Sequence, residues 1–140
     1  MIPTLSTATD PAPPPVCLLR PAAVFDGQDF HPGWAVLVQG DKIEAAGPAA
    51  DISPPNDART IDLPNDTLMP GMIEGHSHLF LHPYNETPWN EQVTNESLSF
   101  RSAAATAHAR ATLLAGFTTV RDLGTEGAGY GDVGLKKAIN

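Results

Sequence analysis

The chain has 140 residues, of which 41% are apolar and 17% charged, and its formal net charge is −8. That length suits one ordinary domain, and the charge excludes a nucleic-acid surface, which needs clustered Lys and Arg; the only lysines are Lys42, Lys136 and Lys137. Cys17 is the single cysteine, so an intrachain disulfide is excluded too, and no apolar run nears the roughly 20 residues that cross a bilayer. Met1 to Pro15 has no basic start and no apolar core, so it does not read as a signal peptide, and a cytoplasmic location without membrane contact is expected.

Residues 1–15 are rich in Pro, Thr, Ser and Ala, and Pro11, Pro13, Pro14 and Pro15 bar a regular ladder. A disordered tail is expected there. Short strands follow. Val16 to Leu19 and Ala22 to Phe25 are apolar and end at the turn signal Asp26-Gly27. His31 lies in Phe-His-Pro-Gly, which reads as a solvated turn. Trp34 to Val38, then Gln39-Gly40-Asp41, then Lys42 to Gly47 reads as a β-hairpin. Pro48 to Arg59 is a loop, Thr60 to Leu63 a short strand, and Pro64-Asn65-Asp66 a further turn. These strands are expected to pair antiparallel and to carry no chemistry.

The run Leu68-Met69-Pro70-Gly71-Met72-Ile73-Glu74-Gly75-His76-Ser77-His78-Leu79 differs in kind. Side chains alternate along a strand, so His76 and His78 share a face, about 7 Å apart. Such a pair can ligate one metal ion or two adjacent ones. Gly71 suits a turn before the strand, and Gly75 a close backbone approach just before the histidines. A His-x-His pair at a strand end also arises by chance.

Phe80 to Thr94 is a polar loop with Tyr84 and Trp89, placed to wall a pocket. Asn95 to Ala115 predicts a helix, capped by Asn95 or Ser97. Phe100, Ala104, Ala107, Ala111 and Leu114 recur at helical spacing, which predicts the buried face; Arg101, His108, Arg110 and Thr112 lie off it. Gly116 suits a C-cap, and Phe117 to Val120 a second buried strand, parallel to the first because a helix joins them. Arg121 and Asp122 close that strand. Either Arg121 clamps a substrate carboxylate or the pair braces the strand end against the next loop, and the brace is the favoured reading. The glycine-rich run from Gly124 to Gly134 lacks the spacing of a phosphate loop. Leu135 to Asn140 reads as the start of another helix.

Pro-Gly-Met-Ile-Glu-Gly-His-Ser-His resembles the first-strand motif of the metal-dependent amidohydrolase superfamily, with Glu74 where Asp is commoner. Ala-Gly-Phe-Thr-Thr-Val-Arg-Asp-Leu-Gly resembles its second-strand segment. Together with Tyr84 to Trp89 it is most similar to the imidazolonepropionase-related and Xaa-Pro or Xaa-Arg dipeptidase-like branch. The resemblance implies an α/β fold. Residues 16–68 would be the N-terminal portion of a small β-sandwich, a composite domain. Residues 69–140 would be the first βαβ unit of a (β/α)8 TIM-type barrel, incomplete here.

The resemblance also implies His76 and His78 as metal ligands, with zinc as the divalent metal, one or two ions in the full-length parent. The activity implied is hydrolysis of carbon–nitrogen bonds in a small amide, N-acyl amino acid or dipeptide-like substrate, by metal-activated water. Related enzymes complete their site with a carboxylated lysine, two later histidines and an aspartate base from later strands. Lys42, Lys136, Lys137 and Asp122 do not stand in those places, so no catalytic residue is assigned. The chain reads as an N-terminal fragment, inactive alone. The other reading is a short non-catalytic binding or structural module derived from the same fold.

Overall fold

The computed structural model describes residues 14–140. Most of the proline-rich stretch expected to be disordered therefore lies outside the described residues. The chain divides between Pro70 and Gly71 into two compact units. Among the described residues no helix is long and apolar enough to cross a membrane.

The first unit is one five-stranded sheet built on β1 (Val16–Phe25). One edge of β1 pairs antiparallel, first with β3 (Trp34–Gln39) and then with β2 (Phe30–Pro32). β3 turns through Gly40, at φ 59°, into β4 (Lys42–Pro48), which is the expected hairpin. The other edge of β1 pairs parallel with β5 (Arg59–Leu68), where only antiparallel pairing was expected. The core is small: Leu18, Val24, Ala35 and Val36 are buried.

β5 also corrects the expected turn at Pro64 to Asp66. Leu63 pairs with Pro21 and Thr67 with Ala23, so three residues of β5 bulge past the single Ala22 of β1. Proline lacks the N–H a ladder needs, and β5 pairs on one side only, so Pro64 fits at this bulge without breaking the strand.

The second unit has two parallel strands, β6 (Met72–Ser77) and β7 (Phe117–Asp122). Between them run a short helix α1 (Trp89–Thr94) and a long one, α2 (Leu98–Leu114); α3 (Gly131–Ile139) follows β7. The Ser97 hydroxyl accepts a hydrogen bond from the Phe100 N–H at 3.2 Å and caps α2. Phe80, Ala105 and Ala128 form the core of this unit, with Leu79 and Leu135 packed against them. Gly71 does not supply a positive φ; a Cβ there would collide with the Thr118 side chain, so it is the close approach. Gly75, expected in that role, has nothing within 4 Å of a Cβ position.

The expected face of α2 is not the buried one. Phe100 and Leu114 are 52% and 67% exposed, whereas Arg101 and Ala105 are buried and His108 is half-buried. The buried face is displaced by one residue, about 100° around the helix axis. Hydrogen bonding causes the displacement. Arg101 and His108 reach the carbonyls of Phe80 and Leu79 in the loop after β6, at 3.0 and 2.8 Å. Buried carbonyls without donors are costly. An alanine-rich helix has little apolar preference to set against that demand.

The turn after β1 carries a titration that reports on the first unit. The Asp26 carboxylate accepts bonds from the Asp29 and Gln28 N–H groups and meets His31 Nε2 at 2.9 Å. His31 lies in β2 and stacks on Trp34, ring centroids 3.8 Å apart; it is no solvated turn residue. The Asp29 N–H most of all, then His31 and the Gln28 N–H, hold Asp26 down at about 2. A carboxylate with a lowered folded pKa stabilises the fold above its unfolded pKa, and that contribution is lost as pH falls through the folded value. Stability should therefore drop between pH of about 4 and about 2. Asp26→Asn should flatten that part of the profile, measured as the circular-dichroism melting midpoint against pH.

Candidate metal centre

His76 is the fifth residue of β6 and His78 is the first beyond its end. Their rings lie 5.5 Å apart between centroids, edge to face at 66°. The structure thus brings together the two histidines the motif singles out. It does so through an irregular strand. Glu74 pairs with Val120 and Ser77 with Asp122, so β6 carries one more residue than β7 over this span. The Glu74 carboxylate accepts the His76 N–H at 3.0 Å within this irregular span.

His78 Nδ1 lies 2.8 Å from the Gly124 carbonyl oxygen. To donate there, Nδ1 must carry the ring proton, which leaves the lone pair on Nε2. This is the form in which imidazole ligates a divalent metal, with the other nitrogen held by a carbonyl. The Glu126 carboxylate lies 3.9 Å from the same Nδ1. The two imidazoles therefore fit a metal as part of a ligand set. Among the described residues no third His, Cys, Asp or Glu completes that set.

A small cleft of about 210 Å³ is lined by His78, Leu81, His82, Pro83 and Tyr84. The loop after β6 thus walls the cleft beside the histidines. A larger cleft, about 850 Å³, lies between β7, α2 and α3 and contains neither histidine. Size is the weaker guide here, because His78 lines the smaller one.

Sequence reasoning missed the residues that hold this loop. Gln92 is fully buried; its amide donates to the His82 and Thr87 carbonyls and accepts the His82 N–H at 3.0 Å. His82 Nε2 meets the Glu96 carboxylate at 2.8 Å and Nδ1 lies 3.4 Å from Glu86. The spacing of His82, Glu86 and Gln92 around a short helix was the available signal. The pair at the end of β7 divides its roles. Asp122 accepts the N–H groups of Leu79 and Gly124, both at 2.9 Å, and is the brace. Arg121 is exposed and lines the larger cleft.

The sequence profile described as "Amidohydrolase family" matches residues 67–140. Imidazolonepropionase of Cereibacter sphaeroides (strain KD131 / KCTC 12085) is 37% identical over 60 residues, 43% of this chain and 15% of that protein. A crystal structure of a Xaa-Pro dipeptidase with methionine bound in its active site superposes with a TM-score of 0.73 at 25% identity. It covers 89% of this chain and 30% of the dipeptidase. A crystal structure of an amidohydrolase gives 0.68 at 29% identity, covering 89% of this chain and 29% of that one. The chain thus spans less than a third of each of these relatives.

The division of labour at the end of β7 is open to test. Asp122→Ala leaves two backbone N–H groups without their acceptor, and each unsatisfied donor costs about 1–3 kcal/mol when buried. Because both sites are only partly buried, a loss of roughly 2 kcal/mol in urea unfolding is expected. Arg121→Ala should stay within about 0.5 kcal/mol of the parent, the usual range for a surface change.

Proposed function

The chain belongs to the amidohydrolase family, and from that premise we propose that it is the N-terminal part of a metal-dependent hydrolase of carbon–nitrogen bonds. The substrate class is a small amide, N-acyl amino acid or dipeptide-like molecule. The likeness to imidazolonepropionase and to a Xaa-Pro dipeptidase supports that class. The first unit, on this reading, is the N-terminal share of a small β-sandwich, and β6, α2 and β7 open a (β/α)8 barrel.

One observation carries the functional reading. His76 and His78 converge at the C-terminal end of β6, and the Gly124 carbonyl frees Nε2 of His78 for ligation. Strand C-termini are where functional groups of such barrels collect. A divalent ion such as zinc would supply two effects when bound there: acidification of water and polarisation of an amide carbonyl.

The protein's own residues have definable tasks around that chemistry. His76 and His78 would hold the ion. Glu74 fixes the backbone of His76 and Gly124 orients the ring of His78. Pro83 and Tyr84 bound the cleft onto which His78 opens and would limit the substrate that enters it.

In the full-length protein His76→Ala and His78→Ala should each strip zinc and abolish hydrolysis, because a site losing one of few imidazoles loses its geometry. Metal content by atomic emission, measured beside dipeptide hydrolysis, checks this; unaltered metal in both variants would sink the reading. The 140-residue chain alone is expected to turn over no dipeptide or N-acyl amino acid, since two imidazoles supply only part of a site.

A further inference from the structure

We infer that Arg101 is a positioning residue for His78: by holding the carbonyls of Thr125 and Glu126, it turns the preceding carbonyl, that of Gly124, onto Nδ1 of the ring. Arg101 sits on α2, is 2% exposed, and makes no contact with either histidine of the candidate centre among its hydrogen bonds. Its action is through the chain between them.

The geometry is a relay of three consecutive peptides. Gly124 O accepts from His78 Nδ1. Thr125 O accepts from Arg101 Nη2, and Glu126 O from Nη1 at 3.0 Å. Upstream, the Gly124 N–H is fixed by the Asp122 carboxylate at 2.9 Å. The Gly124 peptide is thus clamped on both sides, by Asp122 before it and by Arg101 after it.

The backbone there needs clamping. Glu126 has φ 48°, a left-handed conformation that a non-glycine residue adopts only when its surroundings impose it. Gly124 and Gly127 also have positive φ, at 134° and 92°, so little in the local chain resists a turn of these peptides. The planar guanidinium can grip two neighbouring carbonyls at once, through a fork that lysine lacks. All three of its bonds here go to carbonyl oxygens, and the third, to Phe80, ties the same side chain to the loop that follows His78.

The consequence is a tautomer. With Gly124 O in place, the proton stays on Nδ1 and Nε2 is open. With Gly124 O turned away, His78 is free to carry its proton on Nε2, the nitrogen facing the proposed ion. The importance for metal binding rests on the functional reading above; the tautomer does not.

The test reads the imidazole nitrogens of the ¹⁵N-labelled 140-residue chain by long-range ¹H–¹⁵N correlation NMR, at a pH where the rings are neutral. The parent should show His78 protonated on Nδ1. Arg101→Met should move His78 toward the Nε2-protonated form and leave His76 as it was. Zinc affinity should fall by about ten-fold or more, the usual effect of losing an outer partner of a ligand. An unchanged His78 tautomer overturns the inference, and so does an equal shift of both histidines, since that marks general loosening. Should Arg101→Met not fold, Arg101→Lys is read by the same two signatures, with a smaller shift of His78 expected and no shift overturning it. His78→Ala with zinc affinity retained would remove the ligand reading alone, since the tautomer decides the Arg101 inference separately.

Discussion

The second unit depends on how the carbonyl oxygens beyond its two parallel strands find donors. Inside β6 and β7 the ladder pairs the backbone, but past Ser77 and Asp122 the chain leaves the ladder while still packed beneath α2. Four carbonyls there, of Leu79, Phe80, Thr125 and Glu126, are met by side chains of the helix, His108 and Arg101. Two N–H groups, of Leu79 and Gly124, are met by Asp122. A buried guanidinium is expensive to desolvate, and it is tolerated when its donors are satisfied with good geometry. Here three are, and each removes an otherwise unpaired acceptor from the interior.

That constraint reaches the histidines. His78 is the first residue past β6, so no ladder bond aims it, and its ring takes its direction from Gly124. Gly124 in turn is placed by the groups that satisfy its neighbours. Placement of a ligand by a loop is less exact than placement by a strand unless that loop is itself pinned. The unit meets this need with buried polar contacts beside a small apolar mass: among the described residues its buried apolar side chains are Phe80, Leu81 and two alanines.

The sequence was legible where one local signal sufficed. The hairpin at Gly40, the strand pair β6 and β7, the span of α2 and the proximity of His76 and His78 all follow from turn chemistry, apolar runs and strand alternation. Alternation reached the right neighbours by an incomplete route, because β6 is irregular between Glu74 and Ser77. The misses share a cause. The face of α2, the exchange of roles between Gly71 and Gly75, and the continuity of β5 through Pro64 are each set by a partner distant in sequence; His31 is held by near neighbours, Asp26 and Trp34, whose contacts no period encodes. Arg101 meets carbonyls more than twenty residues away, and no period within α2 encodes them.

The same constraint explains why the two candidate histidines were easier to find than their supports. A ligand must be a particular residue type at a particular step along a strand, which leaves a mark that sequence preserves. A support only has to deliver a donor to a given point, and a helix, a strand end or a loop can each do so. Glu74, Asp122 and Arg101 support the histidines from three different elements, through backbone groups that every residue carries. Their contribution becomes visible only when the peptides they hold are seen in place. The His76–His78 pair is therefore best regarded as the end of a chain of constraint that starts on α2 and passes through the loop after β7.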